Sequence, residues 1–449
     1  MRRQTLAGKA ADKVPFVESI GFALGNFGTM FIWNTMALFM VYFLTDVAGI
    51  GAAMAGIILF SARFIDALID PVIGFISDRT HTRWGQKKPF ILAGAVPVAL
   101  LFALCWVVPD LSHGGLYAYY AVVLLLMWVC YSIYNVPYNA LVPVMTRDAA
   151  ERSKLSGYYN VLTLIGVLLS ATLAKPIVAA FPTERIGWQW VGMLFGAVTL
   201  GSLLVTVAIV KERFPADQSA NYKAKDIVRL LWGNKPFMVL SAVALLALVA
   251  FTLMGILLTY LFKYGLHNET LLPVALGALL GTSVIFVPIW VLAYTRIGKK
   301  ASYMLSLSVY ALSLMSVYFI QTAELSIILP VCIICGIGGC GVQVGLWGLL
   351  PDTVEYAHLK LGARTEGVQY GFYGFVIKLG ASVAALIAGA GLALSGYVAN
   401  AVQSESALLG IRLLGSFVPA AFIVIAMLVF SYYPITEKMH QQILQDLNR

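Results

Sequence analysis

Two aspartates lie inside an apolar stretch that is long enough to cross a membrane. Asp66 and Asp70 fall within residues 53–77, and Arg63 precedes the first of them by one helical turn. Residues three and four apart share one face of a helix, so these three ionisable groups are neighbours. An ionised side chain at bilayer depth costs at least ~2.5–3.5 kcal/mol, and two carboxylates one turn apart repel each other. The cluster therefore predicts a site facing a cavity, where at least one carboxylate takes up a proton or a metal cation.

The composition indicates a polytopic membrane protein. Of 449 residues, 60% are hydrophobic and 11% are charged, and the mean hydropathy is +0.86, whereas soluble domains carry about 25% charged residues. Twelve apolar segments are each long enough to cross a hydrocarbon core of ~30 Å as a helix. We therefore predict an all-α membrane protein with twelve transmembrane helices. The predicted spans are 18–44, 52–77, 90–108, 116–145, 155–181, 188–210, 236–262, 273–294, 301–321, 325–350, 367–394 and 407–433.

The net charge of +9 is explained by membrane topology and needs no nucleic-acid partner. Most of the 30 Lys and Arg residues fall in the N-terminal segment, in the even-numbered loops between spans and in the C-terminal tail. Only Lys175, Arg185 and Lys263 fall on the outer side, Lys175 near the end of the fifth span and the other two in odd-numbered loops. This asymmetry follows the positive-inside rule and predicts that both termini are cytoplasmic. The expected location is the plasma membrane, with a bacterial inner membrane favoured.

The chain contains an internal repeat. The basic loop at 82–88, after the second span, has a counterpart at 295–300, after the eighth. The match predicts duplication of a six-helix unit, and a chance likeness of basic loops is the alternative. We expect an N-terminal six-helix bundle at 1–210, a cytoplasmic linker at 211–235, and a C-terminal bundle with a short tail at 236–449. The linker either carries an amphipathic helix on the membrane surface or is a plain connection.

Three segments resemble the glycoside–pentoside–hexuronide:cation symporter family of the major facilitator superfamily. The first joins the paired-aspartate helix to a D-R-x-x-x-R-W-G loop at 78–85, the second is 135–143 and the third is 350–380. The helix reads Arg63-Phe-Ile-Asp66-Ala-Leu-Ile-Asp70-Pro71-Val-Ile-Gly74. The similarity covers nearly the whole chain. It implies two six-helix bundles with a substrate site near the midplane, which is exposed alternately to either side by rocking.

The resemblance implies that Asp66 and Asp70 bind a coupling cation, while nearby basic groups offset their repulsion. The implied cation-coupling residues are Asp66, Asp70, Lys378, Arg63 and Ser132. Sodium-using members commonly have an asparagine before the second aspartate, where this chain has Ile69, so a proton is favoured and Na⁺ at Asp66 and Asp70 is the alternative. No cofactor other than this ion is expected. A structural ion-pair network without transport is a further alternative.

The solute side of the site departs from the family. Where melibiose-type members bind galactosyl hydroxyls with two acids, this chain has Met30 and Asn135. Where they have an arginine and a tryptophan, it has Asn160 and Asn139. The lost negative charge favours a neutral sugar or a solute with a carboxylate or sulfonate, bound by amides and aromatic faces; helix packing is the alternative role for these residues. The candidate substrate-binding residues are Asn26, Tyr131, Tyr134, Asn135, Tyr138, Asn139, Gln343, Trp347, Tyr370 and Tyr373.

Charged residues at the cytoplasmic ends of the spans form a predicted gate between the two halves. Solvated loop charges without a gating role are the alternative. The candidate gate residues are Asp78, Arg79, Arg83, Asp352, Glu355, Arg364 and Glu366.

The expected function is cation-coupled symport of a sugar, glycoside or sugar acid by a monomeric carrier in the lipid bilayer. A carrier of a lysolipid-like or sulfonated solute is one alternative, and a non-transporting membrane sensor or scaffold is another. The sequence contains no P-loop, H-E-x-x-H or G-x-S-x-G motif, so ATP-driven transport and hydrolase activity are disfavoured. We do not expect an enzyme.

Neutralising either aspartate distinguishes transport from the sensor hypothesis. Asp66→Asn or Asp70→Asn is expected to abolish concentrative uptake because the coupling cation loses a carboxylate. Uptake into cells and the amount of protein in the membrane are the two measurements. Unchanged activity in both variants would favour a sensor or scaffold.

Overall fold

A computed structural model describes residues 13–80, 82–146, 148–214, 231–361 and 366–435, together with 439 and 442. These residues form helices and connections, and their one β-type pairing is an isolated bridge between Thr82 and Gly85. Helices are expected because a bilayer core offers no water to backbone N–H and C=O groups, so each spanning segment must satisfy them internally.

The helices follow the predicted spans closely. They are α1 (Phe16–Tyr42), α2 (Ala52–Arg79), α3 (Lys88–Cys105), α4 (His113–Asn139), α5 (Ala149–Ala179), α6 (Glu184–Ile209), α7 (Lys235–Tyr260), α8 (Leu272–Arg296), α9 (Lys299–Val317), α10 (Leu325–Leu361), α11 (Glu366–Leu394), α12 (Glu405–Gly415) and α13 (Phe417–Ser431). A short helix, Leu141–Met145, follows α4. One π-helical turn each, Phe43–Val47 and Leu261–Gly265, continues α1 and α7.

Two predicted spans are interrupted, and a proline explains each interruption. α4 ends at Asn139 and α12 ends at Gly415. Pro143 and Pro419 each lie four residues further on. A proline has no N–H for the carbonyl four residues earlier, and its ring clashes with that carbonyl, so the helix breaks there.

Within the described ranges, eleven helical segments are long and apolar enough to cross a membrane. The protein is therefore a multi-pass membrane protein. Helix α9, predicted as the ninth span, is not among the eleven because it contains five serines and begins with two lysines. Four of the serine hydroxyls donate to carbonyls of α9 itself, so much of this polarity is satisfied inside the helix.

The chain folds as two compact units. The first comprises Met1–Met36 and Ser61–Ala220, and the second comprises Ala37–Phe60 and Asn221–Arg449. In the first unit, α3 packs against α4 and α6, and α5 packs against α6. In the second, α10 packs against α8 and α9, and α7 packs against α11 and α13. Helices α1 and α2 each have one end in each unit. Most of the predicted linker, residues 215–230, lies outside the described residues.

Glu212 joins the end of α6 to the start of α3 in the first unit. Its carboxylate accepts bonds from the backbone N–H groups of Gln86, Lys87 and Lys88 at 2.7–2.9 Å. Donors at a helix N-terminus have no partner inside the helix, and a negative charge there also complements the helix dipole. Gly85 makes room for the carboxylate: its φ is +111°, and a Cβ would lie 2.5 Å from the Glu212 carboxyl group.

In the second unit, the equivalent helices α13 and α9 are joined by a lysine side chain, whose charge is opposite to that of Glu212. Lys300 at the start of α9 donates from Nζ to the carbonyls of Ser431 and Tyr433 at the end of α13, at 3.2 and 2.7 Å. Lys300 corresponds to Lys87 in the repeat of basic loops. The same connection therefore recurs in both units.

A methyl group at Gly85 should disturb the first of these connections. Gly85→Ala is expected to destabilise the purified protein by about 2 kcal/mol, because alanine strains a positive φ and displaces the Glu212 carboxylate. The readout is the unfolding temperature in detergent. Gly201→Ala is the matched control: Gly201 lies inside α6 with no neighbour within 4 Å, so alanine there should be neutral or stabilising. Equal unfolding temperatures for the two variants would contradict the assignment.

Candidate functional site

The paired carboxylates of α2 meet one hydroxyl of α4. Ser132 Oγ lies within hydrogen-bonding distance of Asp66 Oδ1 and of Asp70 Oδ1. Asp66 and Ser132 are fully buried, and Asp70 is half-buried. A serine hydroxyl has one hydrogen to donate and two lone pairs that accept. Both contacts are therefore satisfied when one carboxyl group carries a proton, or when a cation takes the place of that proton.

Arg63 lies between two indole rings of the first unit. Its Cζ is 4.0 Å from the ring centroid of Trp33 on α1 and 3.5 Å from that of Trp128 on α4. The side chain is 6% exposed, and among the described residues Nη1 has no hydrogen-bond partner. Asp66 is close enough to interact with it electrostatically. Cation–π contacts of this kind are worth ~2 kcal/mol or more when desolvated, so the indoles hold a positive charge beside the acidic pair.

The predicted tyrosines of α4 continue this aromatic cluster. Tyr131 packs against Trp128 and Tyr134 with centroid distances of 5.2 and 5.1 Å. The Tyr134 hydroxyl donates to Thr29 Oγ1 at 3.4 Å, and the Tyr138 hydroxyl donates to the carbonyl of Phe22. All three rings are buried. In this state the hydroxyls of Tyr134 and Tyr138 hold α4 against α1.

The predicted asparagines differ in how open they are. Asn26 is buried and donates to Thr163 Oγ1 of α5. Asn135 is half-buried and Asn139 is exposed, with its Oδ1 3.4 Å from the Tyr159 hydroxyl. Asn135 and Asn139 are thus the predicted amides of the first unit that a solute can reach.

The other predicted binding residues belong to the second unit. Lys378 on α11 is buried, Gln343 on α10 is half-buried, and Trp347 and Tyr370 are exposed. Tyr373 is buried, packs edge-on against Trp347 at 5.5 Å and donates to the carbonyl of Leu346. Trp347 and Tyr370 therefore offer aromatic faces, whereas Tyr373 supports Trp347.

The predicted gate residues are only partly covered by the described residues. Asp352 is buried and pairs with Lys299 of its own unit at 2.6 Å. The Arg79 guanidinium lies 3.8 Å above the ring of Phe75. Pairing between the two halves stays a prediction. Of the remaining gate residues, Arg83 is exposed and Glu355 half-buried, Arg364 lies outside the described residues, and the side chains of Asp78 and Glu366 are not described.

A second buried ion pair, between Asp46 and Lys263, is absent from the predicted site residues. Lys263 Nζ lies 3.0 Å from Asp46 Oδ1, and the Asp46 side chain is fully buried. Asp46 lies just beyond the first predicted span, where a charged residue ordinarily meets water. One sequence signal points to it: Lys263 is one of the three basic residues that the predicted topology places away from the cytoplasm. Trp33 and Trp128 carried no signal, because indoles are common in membrane helices.

Comparisons with known proteins agree with this architecture. The family described as "MFS/sugar transport protein" matches residues 21–437. The glucuronide carrier protein homolog of Escherichia coli (strain K12) is 30% identical over 437 residues, covering 96% of this chain and 94% of its own. The isoprimeverose transporter of Lactiplantibacillus pentosus is 28% identical over 444 residues, covering 98% and 92%.

A solved structure supports the fold at low sequence identity. The crystal structure of the nucleoside transporter NupG has a TM-score of 0.67 and 13% identity, with 92% of this chain and 99% of that chain covered. At this identity the likeness concerns the fold alone.

Replacing the stacked guanidinium tests the Arg63 contacts. Arg63→Lys is expected to destabilise the purified protein by about 1–2 kcal/mol, because a lysine ammonium cannot lie flat against two indoles. The measurement is the unfolding temperature in detergent. Arg185→Lys is the control, since Arg185 forms an exposed pair with Asp110. A smaller decrease for Arg63→Lys than for Arg185→Lys would contradict a stacking role.

Proposed function

The chain belongs to the MFS/sugar transport protein family, and within it to the glycoside–pentoside–hexuronide:cation symporters; from this membership we propose that it couples the uptake of a sugar or sugar acid to protons. Members of this family are membrane transporters and not enzymes. The coupling site is Asp66 and Asp70 with Ser132 between them, and Arg63 provides a fixed positive charge. The solute binds near Asn135 and Asn139.

The bridging hydroxyl of Ser132 is the observation that carries the proton proposal. One hydroxyl hydrogen cannot serve two ionised carboxylates, whereas a carboxyl–hydroxyl–carboxylate chain satisfies every group. Two carboxylates one helical turn apart also repel each other unless one is neutralised. Binding of one proton therefore changes the charge of the site by one unit and completes its hydrogen bonding.

Sodium is the less favoured cation because the site offers it few ligands. Na⁺ prefers a full shell of oxygen atoms, and Asp66, Asp70 and Ser132 supply only part of such a shell. Ile69, where sodium-using members of the family carry an amide, offers no side-chain oxygen.

The proposed topology has twelve spans with both termini in the cytoplasm. The ninth span is α9, whose serine hydroxyls bond mostly to its own carbonyls. An even number of spans agrees with the concentration of Lys and Arg in the even-numbered loops and at both termini.

For the solute, we propose a sugar that carries no positive charge. The positions where melibiose-type members have acids are Met30 and Asn135, so the site has lost anionic groups but kept hydrogen-bonding capacity. Two relatives are named for a glucuronide and for isoprimeverose, one acidic and one neutral. A glucuronide, a neutral disaccharide and a sulfonated sugar are therefore the first solutes to test.

Gradient-driven uptake into proteoliposomes tests the proposal. An inward proton gradient without sodium should drive accumulation of at least one of these solutes, and a protonophore should abolish it. Ser132→Ala should reduce accumulation about tenfold or more, because loss of a hydrogen bond to a charged group costs ~1.5–3 kcal/mol. Ser170→Ala is the matched control, a buried serine of α5 bonded to Asn34 and not to an acid.

The outcomes separate the parts of the proposal. Accumulation driven by a sodium gradient at constant pH would show that the cation is sodium. Absence of accumulation of all three solutes under either gradient would contradict the sugar assignment.

A further inference from the structure

The ends of α1 and α7 have the same backbone structure. Each helix closes in a π-turn, with N–H to C=O bonds from Ala48 to Phe43 and from Leu266 to Leu261, both at 2.9 Å. Each π-turn is followed by one residue with positive φ, Gly49 at +73° and His267 at +50°. The two segments are 218 residues apart, counted from Gly49 to His267. The internal repeat thus extends to these helix ends.

A buried polar cluster occupies the place where the two ends meet. The Lys263 ammonium uses all three of its hydrogens: it donates to Asp46 Oδ1 at 3.0 Å, to the Tyr42 hydroxyl at 2.8 Å and to Asn400 Oδ1 at 3.0 Å. An ammonium group has three donors, so this one is fully satisfied. Its exposed fraction is 17%, and that of the Asp46 side chain is 0%.

The Asp46 carboxylate likewise has a hydrogen-bond donor on each of its two oxygens. Thr45 Oγ1 and the Tyr397 hydroxyl each donate to Oδ2 at 2.6 Å, and the Tyr264 hydroxyl donates to Oδ1. Burial and the Asp46 charge raise the pKa of Tyr397, so its hydroxyl keeps the hydrogen that it donates. Asn400 adds a bond from its amide to the Asp46 carbonyl at 2.6 Å. We call these residues, with Tyr42 and Lys263, the Asp46 cluster.

The start of α2, which follows Asp46 in the chain, packs closely against α11. A Cβ at Gly389 on α11 would lie 2.3 Å from the carbonyl of Ala52, and one at Gly56 would lie 3.0 Å from the carbonyl of Ala385. The start of α2 therefore lies directly against α11, as small residues allow in membrane helices. Residues 37–60 accordingly belong to the second unit, although the rest of α1 and α2 belongs to the first.

We propose that the Asp46–Lys263 pair is a latch that holds the end of α1 on α7 and closes the carrier on the side of the membrane at which α1 ends. Opening on that side separates the end of α1 from α7, and the two charges must then regain water. Because the cluster is fully hydrogen-bonded when closed, removal of one charge leaves the other buried and unpaired, which strongly destabilises the closed form. Removal of both charges leaves no buried charge without its partner, so the closed form is destabilised less than by either single removal. The inference rests on the transporter function alone, and not on the identity of the cation or the solute.

Cysteine labelling measures the latch without a solute. The reporter is Met30→Cys on α1, in a background where the five free cysteines are replaced by serine. A membrane-impermeant maleimide is applied from the side at which α1 ends. Asp46→Asn and Lys263→Met should each increase the labelling rate about tenfold, a change that corresponds to 1.4 kcal/mol. The double variant Asp46→Asn/Lys263→Met should label more slowly than either single variant.

Two further variants keep the test decisive. Tyr397→Phe removes one hydrogen-bond donor and no charge, so it should increase the labelling rate less than the charge variants do. It should also fold even where a charge variant does not. Asp110→Asn is the control: it breaks the Arg185–Asp110 pair, which lies on the side predicted for the odd-numbered loops and is 45% and 95% exposed, and it should leave the labelling rate unchanged.

The labelling results can overturn the latch directly. Rates equal to the parent in Asp46→Asn, Lys263→Met and Tyr397→Phe, with each protein monodisperse after purification, would rule it out. Additive effects in the double variant would show that the two charges act separately. If labelling follows the expected pattern while no sugar accumulates in proteoliposomes, the latch stands and the proposed solute class is wrong.

Discussion

A charge inside a membrane protein must have a partner, and this constraint arranges the acidic pair, Arg63 and the Asp46–Lys263 pair. Asp66 and Asp70 share Ser132, Arg63 is held between two indoles, and Lys263 gives all three hydrogens to acceptors. Each solution uses different chemistry: a shared hydroxyl, aromatic faces, or a complete set of hydrogen bonds. The first leaves a position that a cation can fill, whereas the last is complete without one. That difference separates the site proposed for coupling from the site proposed for latching.

The two units join the same pair of helices, but the residues that make the connection differ. Glu212 joins α6 to α3 with a carboxylate on backbone N–H groups, and Lys300 joins α9 to α13 with an ammonium on backbone carbonyls. The start of a helix offers backbone N–H donors and the end of a helix offers backbone carbonyl acceptors. An acidic side chain beyond the end of one helix can therefore bond to the start of the other, and a basic side chain at the start of one helix can bond to the end of the other. Sequence comparison of the halves finds the basic loops but not this equivalence, because the two side chains have opposite charge.

The sequence was sufficient for most helix positions and for locating two acids in an apolar helix, whose role in coupling stays a prediction, and it was insufficient for how the aromatic residues are used. Span positions follow from apolar length, and Asp66 and Asp70 stand out because a charge in an apolar helix is costly. Residue type could not tell that the hydroxyls of Tyr134 and Tyr138 bond to α1, while Trp347 remains open. Asp46 escaped prediction for a similar reason: its distance from the end of the span was readable, but its burial depends on Lys263 and Tyr397, which are distant in the chain.

The single hydrogen of Ser132 has a thermodynamic consequence for a proton-coupled carrier. A hydroxyl that donates to one carboxylate and accepts from one carboxyl group is fully bonded with a single proton in the pair, so one proton is enough to complete the site. For a neutral solute, a cycle that carries one proton moves one elementary charge, which is worth ~2.3 kcal/mol per 100 mV. At tenfold for every 1.4 kcal/mol, the membrane potential then supports a solute ratio of about 40-fold per 100 mV, whereas an anionic sugar carried with one proton moves no net charge and gains nothing from the potential. The one proton that Ser132 bridges would thus fix how much of the membrane potential a neutral solute can use, and none of it for a solute with one negative charge.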